Sequence, residues 1–526
     1  MNRMTPRPKI SPYKQTKKGA EIVAVAPQTH KSLLGRLDSL AAVEGANAVA
    51  RWANRALILF ILLFALSIPN SIAAAQTSFT LSAIFWIIRD LALRRFHFAR
   101  TPIDWSLLAF AALTVLSSVL SVEPELSLSK LRALTLFGLI YLLVSNMRPR
   151  AVSLALGVMM ASAVAGAGFS FAEKVYGRGM VITAIEAGSP LASSELRPGD
   201  VIWMIARKRV FSPGDAADVI RKHKTGEMLG VEALHAGDPV PVTLLVTEEL
   251  KAKQNPLGVE ANGRSRQFRV SGFLRQFLTY AEQMQILAML AFGGLLTGIR
   301  LWRKPKTRMR LAIFALLFVT FALSLVLTAS RAVIVAFILS LLFVSISFGG
   351  RLAQVLALGV ALLLGGGGYY AITVTRLPVT LDDSANRRVA YMEAGLRLIP
   401  RRPLLGVGMD SAKRHWREWG FPGDYITHTH STPIQIALER GLPALACYVW
   451  LIVAMMIMLW RGYRRSRESA DDLGEILTLG SFGALIGFSL SSLTNYNFGD
   501  SEVLMLILFI SGLSAVRAKL ASSPRS

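Results

Sequence analysis

The 526-residue sequence has few charged residues and a single cysteine. Asp, Glu, Lys and Arg make up only 17% of it, whereas a soluble globular chain carries about 25%, so the composition argues against a soluble protein. Acidic residues are scarcer than basic residues, 33 against 58. Cys447 has no second cysteine with which to form an internal disulfide, so the redox compartment cannot be read from it.

Long apolar runs take the place of the missing charge, and the mean hydropathy is +0.46. A run of about 18 or more apolar residues can span ~30 Å of hydrocarbon, and only a helix satisfies the backbone of such a run. The sequence therefore predicts an all-α polytopic membrane protein with about twelve transmembrane helices. The predicted spans are 56–75, 77–93, 104–121, 131–146, 151–171, 284–300, 311–328, 332–348, 352–372, 442–460, 474–494 and 502–516.

Lys and Arg cluster in alternate short connections between the predicted spans. Cytoplasmic connections carry this excess, so both termini are predicted to be cytoplasmic. Residues 1–55 lack the pattern of a cleavable signal peptide and are expected to form a basic, disordered arm near anionic lipid. The longer segments 172–283 and 373–441 then lie outside.

The net charge of +25 does not indicate a nucleic-acid partner. The connections predicted to be cytoplasmic account for much of it, and no interleaved aromatic and basic face supports such a partner. Membrane lipids are the expected surroundings.

The first external segment contains a soluble insertion in which short strands, turns and charges replace the apolar runs. Its stretch GSPLASSELRPGDVI, residues 188–202, resembles a bacterial PDZ domain. This small, mainly β module divides the chain into 1–55, the arm; 56–171, helices one to five; 172–253, the PDZ-like module; 254–372, a linker and helices six to nine; 373–441, an external loop; 442–516, helices ten to twelve; and 517–526, a tail.

The PDZ resemblance implies a peptide-binding loop. PDZ domains add an extended peptide to a sheet edge while backbone amides hold its terminal carboxylate. The resemblance gives that task to Gly177, Arg178, Gly179 and Met180, with a peptide C-terminus or a secretion partner as ligand. The alternative is a spacer or docking element that binds no peptide.

The second external segment carries four motifs in a fixed order. An Arg-Arg pair precedes an aromatic residue in 386–391, RPLLGVG occupies 402–408, His430 is followed by Ser431, and a glycine comes eleven positions after that histidine. Together with LTASRA at 327–332 and FRVSGF at 268–273, this order resembles the O-antigen ligase and polymerase superfamily. Ser431 stands where many relatives have Asn, and Tyr391 where many have Trp.

The family resemblance implies transfer of a glycan from a polyprenyl diphosphate carrier to an acceptor hydroxyl at the periplasmic face of the bacterial inner membrane. Arginines suit a diphosphate because they are permanently charged and donate hydrogen bonds in pairs. The diphosphate is assigned to Arg331 and Arg387, with Arg388 or Arg269 assisting. Inversion at the anomeric carbon is expected, without a cofactor or metal.

His430 is the predicted general base, because histidine exchanges a proton near neutral pH. Ser431 or Thr432 is expected to cap the helix that follows it, with Pro433 in the first turn. A metal site made by His415, His428 and His430 is the alternative, but no set of cysteines or carboxylates accompanies them.

Four functions are compatible with the sequence. A polymerase joins lipid-linked repeat units, and a ligase moves finished glycan onto lipid A-core or a protein. Both use the same donor chemistry, so the motifs do not separate them. A transporter is disfavoured because Asp90, Asp104, Glu282 and Glu502 all lie near predicted span ends. A scaffold built around the PDZ-like module is the fourth function.

Overall fold

The computed structural model describes residues 33–235, 238–303, 305–373, 381–423 and 428–521. Helices dominate these ranges. They are α1 Leu33–Leu40, α2 Ala48–Ser67, α3 Ile72–Ala92, α4 Asp104–Val119, α5 Pro124–Lys130, α6 Gly138–Asn146, α7 Pro149–Tyr176, α8 Pro213–Arg221, α9 Glu248–Ala252, α10 Phe277–Arg300, α11 Pro305–Leu327, α12 Arg331–Phe348, α13 Arg351–Thr373, α14 Leu381–Leu398, α15 Ser411–Arg414, α16 Thr432–Glu468, α17 Asp472–Ser491 and α18 Ser501–Ala521. Three 3-10 turns join them, Leu131–Phe137, Ile399–Arg401 and Asn497–Gly499.

The prediction of a polytopic all-α membrane protein is confirmed. Among the described residues, ten helices are long and apolar enough to cross a membrane. One of them, Pro124–Asn146, is composite, because α5, a 3-10 turn and α6 follow one another. Two shorter apolar helices, Asp104–Val119 and Arg351–Gly366, lie where the third and ninth spans were predicted.

The first predicted span, 56–75, is displaced from the helix that the structure contains. α2 begins at Ala48, where the Asn47 side chain accepts a hydrogen bond from the Ala50 amide at 2.8 Å. The chain leaves the helix after Ser67, and Ser71 caps α3. The predicted arm 1–55 is therefore helical from Ala48 and over α1, while residues 1–32 lie outside the described residues.

Three helices form the centre of the bundle. In the most apolar stretches of α10, α18 and α17, 89%, 78% and 72% of the residues are buried, against 22% in α3. A Cβ atom on Gly293 of α10 would meet the backbone of Gly480 on α17, so small residues bring these two helices into close contact. α10 also begins seven residues before the predicted span, and this places Glu282 inside the helix.

The inserted module between α7 and α10 is a six-stranded antiparallel sheet with two short helices. The strands are β1 Met180–Ile185, β2 Val201–Ile205, β3 Lys208–Arg209, β4 Met228–His235, β5 Asp238–Leu245 and β6 Val259–Ala261. Their order is β5-β4-β2-β1-β6, with β3 paired to β2.

The module packs directly on the membrane bundle. Val201, Trp203 and Leu234 belong to the same buried cluster as the membrane helices, together with Phe268 and Val270 from the following linker. The chain enters and leaves the module side by side, because the Arg178 amide donates to the Ser265 carbonyl at 2.7 Å and the Ser265 amide returns a bond at 3.1 Å. We call this end of the bundle the module end.

The opposite end of the bundle gathers ion pairs between helix termini. Arg300 pairs with Glu475, Arg517 with Asp471, and Arg310 with Asp472 at 3.6 Å. Several of the basic connections predicted to be cytoplasmic meet here, away from the module. Which end faces the cytoplasm remains a prediction from the charge pattern.

Candidate functional site

The predicted base, His430, lies at the module end in a short loop before α16. The loop is tied down on both sides: the Thr429 amide donates to Gln435 Oε1 at 2.8 Å, and the Thr432 amide donates to the Ser492 carbonyl at 2.8 Å. Pro433 occupies the first turn, as predicted. Ser431 is the N-cap residue, but its side chain makes no capping bond.

His430 is held in an unusual environment. Its backbone is left-handed, with φ 53°, a region that non-glycine residues seldom occupy outside functional or strained sites. The side chain is 8% exposed, and neither ring nitrogen has a hydrogen-bond partner among the described residues. The His428 ring lies 4.4 Å away between centroids, and the Tyr391 ring 5.7 Å away.

Both histidines of the pair are neutral near pH 7. Burial, helped by the neighbouring His428 and Arg388, lowers the pKa of His430 to about 3. Burial and Arg388 likewise lower the pKa of His428 to about 4, with Asp410 acting in the opposite direction. His428 Nδ1 accepts the His430 amide at 3.2 Å, so the neutral His428 ring carries its proton on Nε2.

Arg388 is the predicted diphosphate ligand that the fold brings to the histidine pair. It lies on α14, and its NH1 donates to Asn495 Oδ1 at 3.3 Å. Asn495 in turn donates to Glu282 Oε1 at 3.1 Å, and the Ser491 hydroxyl donates to the other oxygen of Glu282 at 2.8 Å. Glu282 is 1% exposed. This network was missed from the sequence, although an acidic residue in an apolar helix is a recognised signal.

The other predicted diphosphate ligands lie on neighbouring parts of the module end. Arg331 begins α12 and is exposed, and its side chain makes no hydrogen bond or ion pair within the described part of the chain. Arg269 lies over the Phe277 ring at 4.7 Å, and the next residue, Val270, donates to Leu327 at 3.3 Å. The Arg269 segment therefore borders the α11–α12 connection that carries Arg331. Arg387 is exposed on α14.

The glycines of the motifs interlock the RPLLGVG loop with α16. The amides of Val407 and Gly408 donate to the carbonyls of Leu438 and Glu439 at 2.9 and 2.8 Å. Gly441 has φ +85°, and a Cβ atom there would collide with the Leu404 carbonyl. The predicted helix start at residue 442 is therefore a break within a longer helix that begins at Thr432.

The predicted peptide-binding loop, Gly177 to Met180, is engaged with the bundle. Arg178 is 4% exposed, pairs with Glu173, and stacks over the rings of Trp203 at 4.6 Å and Phe268 at 4.2 Å. β1, which follows the loop, is paired with β2 on one side and β6 on the other. β2 pairs with Met180 and Val181, and β6 pairs with Ile182 to Ile185. The loop arginine and the start of β1 are thus engaged within the protein, so these contacts do not support the peptide role, which stays a prediction.

The third histidine of the alternative metal site contacts two acidic residues. His415 approaches Glu418 at 2.6 Å and Glu123 at 3.2 Å, and these carboxylates raise its pKa. Within the described ranges, no group of three or more His, Cys, Asp or Glu side chains is placed to hold a metal ion. Metal independence of the reaction remains a prediction.

Comparisons with known proteins identify the part of the chain that contains the histidine loop. No curated protein matches the chain. Residues 316–449 match the O-antigen ligase family, and this range holds Arg331, Arg387, Arg388, His430 and Gly441. The motifs had predicted this resemblance, and it is confirmed over residues 316–449, which are similar to the O-antigen ligase family.

Proposed function

We propose that this protein transfers a glycan from a polyprenyl diphosphate carrier to an acceptor hydroxyl at the module end, which faces the periplasm of a bacterial inner membrane. The observation that carries the proposal is His430, which is buried and left-handed and lies beside Arg388 within the family match, with both ring nitrogens unpaired in the described ranges.

His430 is the general base of this reaction. As the acceptor oxygen forms a bond to the anomeric carbon, its proton passes to a His430 ring nitrogen. The bond between the anomeric carbon and the diphosphate oxygen breaks at the same time, and polyprenyl diphosphate leaves. Because attack comes from the face opposite the leaving group, the configuration at the anomeric carbon inverts.

The cationic surroundings of His430 serve the leaving group. A diphosphate gathers negative charge as it departs, and fixed cations stabilise that charge. Arg388 supplies this charge beside the histidines, and Arg331, Arg387 and Arg269 supply it from the neighbouring connections. The anion also offsets the effect of Arg388, which lowers the pKa of His430 less than burial and His428 do.

Polymerisation of lipid-linked repeat units into an exopolysaccharide or O-antigen is our first assignment. Ligation, with lipid A-core or a protein as acceptor, is our second assignment. It is favoured by the description of the matched family as O-antigen ligase. The same base and cations serve both reactions, so the acceptor is the difference between them.

The test is glycan transfer by the purified full-length protein in lipid nanodiscs, with polyprenyl diphosphate-linked oligosaccharide as donor. We expect His430→Ala to lower transfer by about 10²- to 10⁴-fold, the usual contribution of a general base. His223→Ala is the matched control, because His223 contacts Glu227 on the inserted module and should leave transfer unchanged.

The products separate the two assignments. Longer glycan that remains on the carrier indicates a polymerase, whereas glycan found on added lipid A-core or protein indicates a ligase. Wild-type transfer rates in a correctly folded His430→Ala variant would contradict the assignment of the base.

A further inference from the structure

A cavity of about 510 Å³ opens next to the histidine pair. Part of its wall is apolar, from α3, the 3-10 turn that follows α5, and the start of α18. The rest of the wall is charged, and its charged residues come from three separate parts of the chain: Lys130, Arg132, Asp410, Glu439 and Arg440.

Arg440 is the unusual member of this wall. It is 3% exposed, and its Nε and NH1 atoms have no hydrogen-bond partner among the described residues. Its contact with Glu439 is loose, at 4.0 Å. The rings of Phe110 and Phe498 lie 5.4 and 5.5 Å from the guanidinium carbon. A buried donor without an acceptor costs free energy. A ligand that accepts hydrogen bonds from Arg440 would remove that cost.

The neighbouring carboxylates are already occupied. Glu439 Oε1 accepts from Gln435 Nε2 at 2.8 Å and from the Asp410 amide at 3.0 Å. Asp410 pairs with Lys130 at 2.6 Å. Three cationic groups thus face two carboxylates across the cavity, and the excess charge is positive.

The cavity and the histidine pair share one side chain. Tyr496 lines the cavity, and its ring lies 5.6 Å from the His428 ring. Tyr496 therefore borders both the cavity that Arg440 lines and the histidine pair.

We propose that this cavity binds an anionic oxygen group of one of the two substrates, a phosphate or a carboxylate, with Arg440 as its main ligand and Lys130 and Arg132 at the rim. The proposal rests on the proposed transfer reaction for the identity of the molecule. An anion fits better than a neutral hydroxyl, because the guanidinium fork matches two oxygens and its bonds to charged acceptors are the stronger ones. The anion comes either from the lipid carrier or from an acidic sugar of the glycan.

Binding to the full-length protein in nanodiscs tests the proposal with two matched pairs of probes. The first pair is polyprenyl monophosphate and the uncharged polyprenol. The second is a tetrasaccharide that contains glucuronic acid and its carboxyl-reduced counterpart. We expect the wild-type protein to bind the anionic member of at least one pair about tenfold more tightly, as one charge-assisted hydrogen bond provides. The pair that shows the preference identifies the source of the anion.

Three variants locate the effect. Arg440→Gln should abolish the preference, and Arg440→Lys should retain part of it, because the charge stays but the fork is lost. Arg401→Gln is the control, since Arg401 is an exposed arginine that does not line the cavity. If Arg440→Gln does not fold, Lys130→Gln/Arg132→Gln should weaken the preference from the rim. The proposal is overturned by no anion preference in the wild-type protein, or by an unchanged preference in folded Arg440→Gln or, where that variant does not fold, in Lys130→Gln/Arg132→Gln.

The two variants His430→Ala and Arg440→Gln distinguish a failure of the cavity proposal from a failure of the proposed reaction. His430→Ala should lose transfer and keep the anion preference, whereas Arg440→Gln should lose the preference. An anion preference without His430-dependent transfer would support the cavity and contradict the reaction. The reverse pattern would contradict the cavity alone.

Discussion

Two arginines, Arg178 at the module junction and Arg440 beside the cavity, are withdrawn from solvent to the same degree, 4% and 3% exposed. Both lie among aromatic rings. Arg178 has a carboxylate in a fork arrangement, with Nε 3.1 Å from Glu173 Oε1 and NH2 bonded to the other oxygen. Arg440 has two nitrogens without a partner in the described part of the chain.

This difference separates structural burial from burial for a ligand. A buried ion pair with complete hydrogen bonding holds two parts of the chain together, and removing one partner is costly. A buried cation with unfilled donors adds little to stability and fits a partner that is not part of the protein. Burial alone does not distinguish the two arginines, but their hydrogen-bond partners do.

The largest effect should come from breaking the complete pair. Glu173→Ala leaves the Arg178 charge buried without its carboxylate, and we expect a loss of about 3–5 kcal/mol in the free energy of unfolding. Thermal unfolding in detergent measures it. The double variant Glu173→Leu/Arg178→Met should lose less, because no buried charge remains; Arg209, the other partner of Glu173 at 2.7 Å, is partly exposed. Equal losses in the single and double variants would show that the pair is not what matters.

A smaller loss of stability should follow from changing the backbone at Gly441, the residue after Arg440. Gly441→Ala forces a side chain into a left-handed position against the Leu404 carbonyl, and we expect a loss of about 1–3 kcal/mol. Transfer should fall as well, because the loop that supports the histidine segment shifts. Gly226→Ala is the control: Gly226 also has positive φ, +84°, but its Cβ meets nothing within 4 Å. Equal losses would assign the cost to backbone strain alone.

Arg440→Met should change stability least among the buried charges. The variant removes unfilled donors and keeps an apolar side chain between Phe110 and Phe498, so we expect a change within about 1 kcal/mol. The same thermal unfolding measurement applies. A loss as large as that of Glu173→Ala would mean that Arg440 is a structural residue, and the contrast between the two arginines would fail.

The smallest expected effect concerns the pH dependence of kcat/KM. The pKa of His430 is lowered to about 3, so its neutral form persists as the pH falls from 8 to 5, and kcat/KM should stay level over that range. Arg388 is one cause of the lowering, so Arg388→Gln should raise this pKa and move the acid limb of kcat/KM to higher pH. A wild-type limb near pH 6.5, the ordinary histidine value, would contradict the described environment.

Hydropathy predicted which helices exist better than where they begin. The run at 56–75 joins two helices, because an average over apolar residues does not register the Asn47 and Ser71 caps or the break between Ser67 and Ser71. In the module, β6 has only three residues and is recognisable only by its pairing with β1.

The sequence singled out candidate site residues only where the signal is local. His430 and Gly441 follow from motif spacing, and the structure gives Gly441 its physical reason in the left-handed backbone. The surroundings of Arg440 were not predictable, because Lys130 and Arg132 come from a connection more than 300 residues earlier in the chain. Glu282 was assigned to a span end because the predicted helix began too late, and its bond to Asn495 depends on tertiary contact.

The paired hydrogen bonds between Arg178 and Ser265 have a consequence for how such a protein arises. The whole insertion begins and ends at practically one point on the bundle, so acquiring or losing it alters neither the order of the membrane helices nor the distances between them. Sequences inserted at such a point are tolerated because the host's own connection hardly changes.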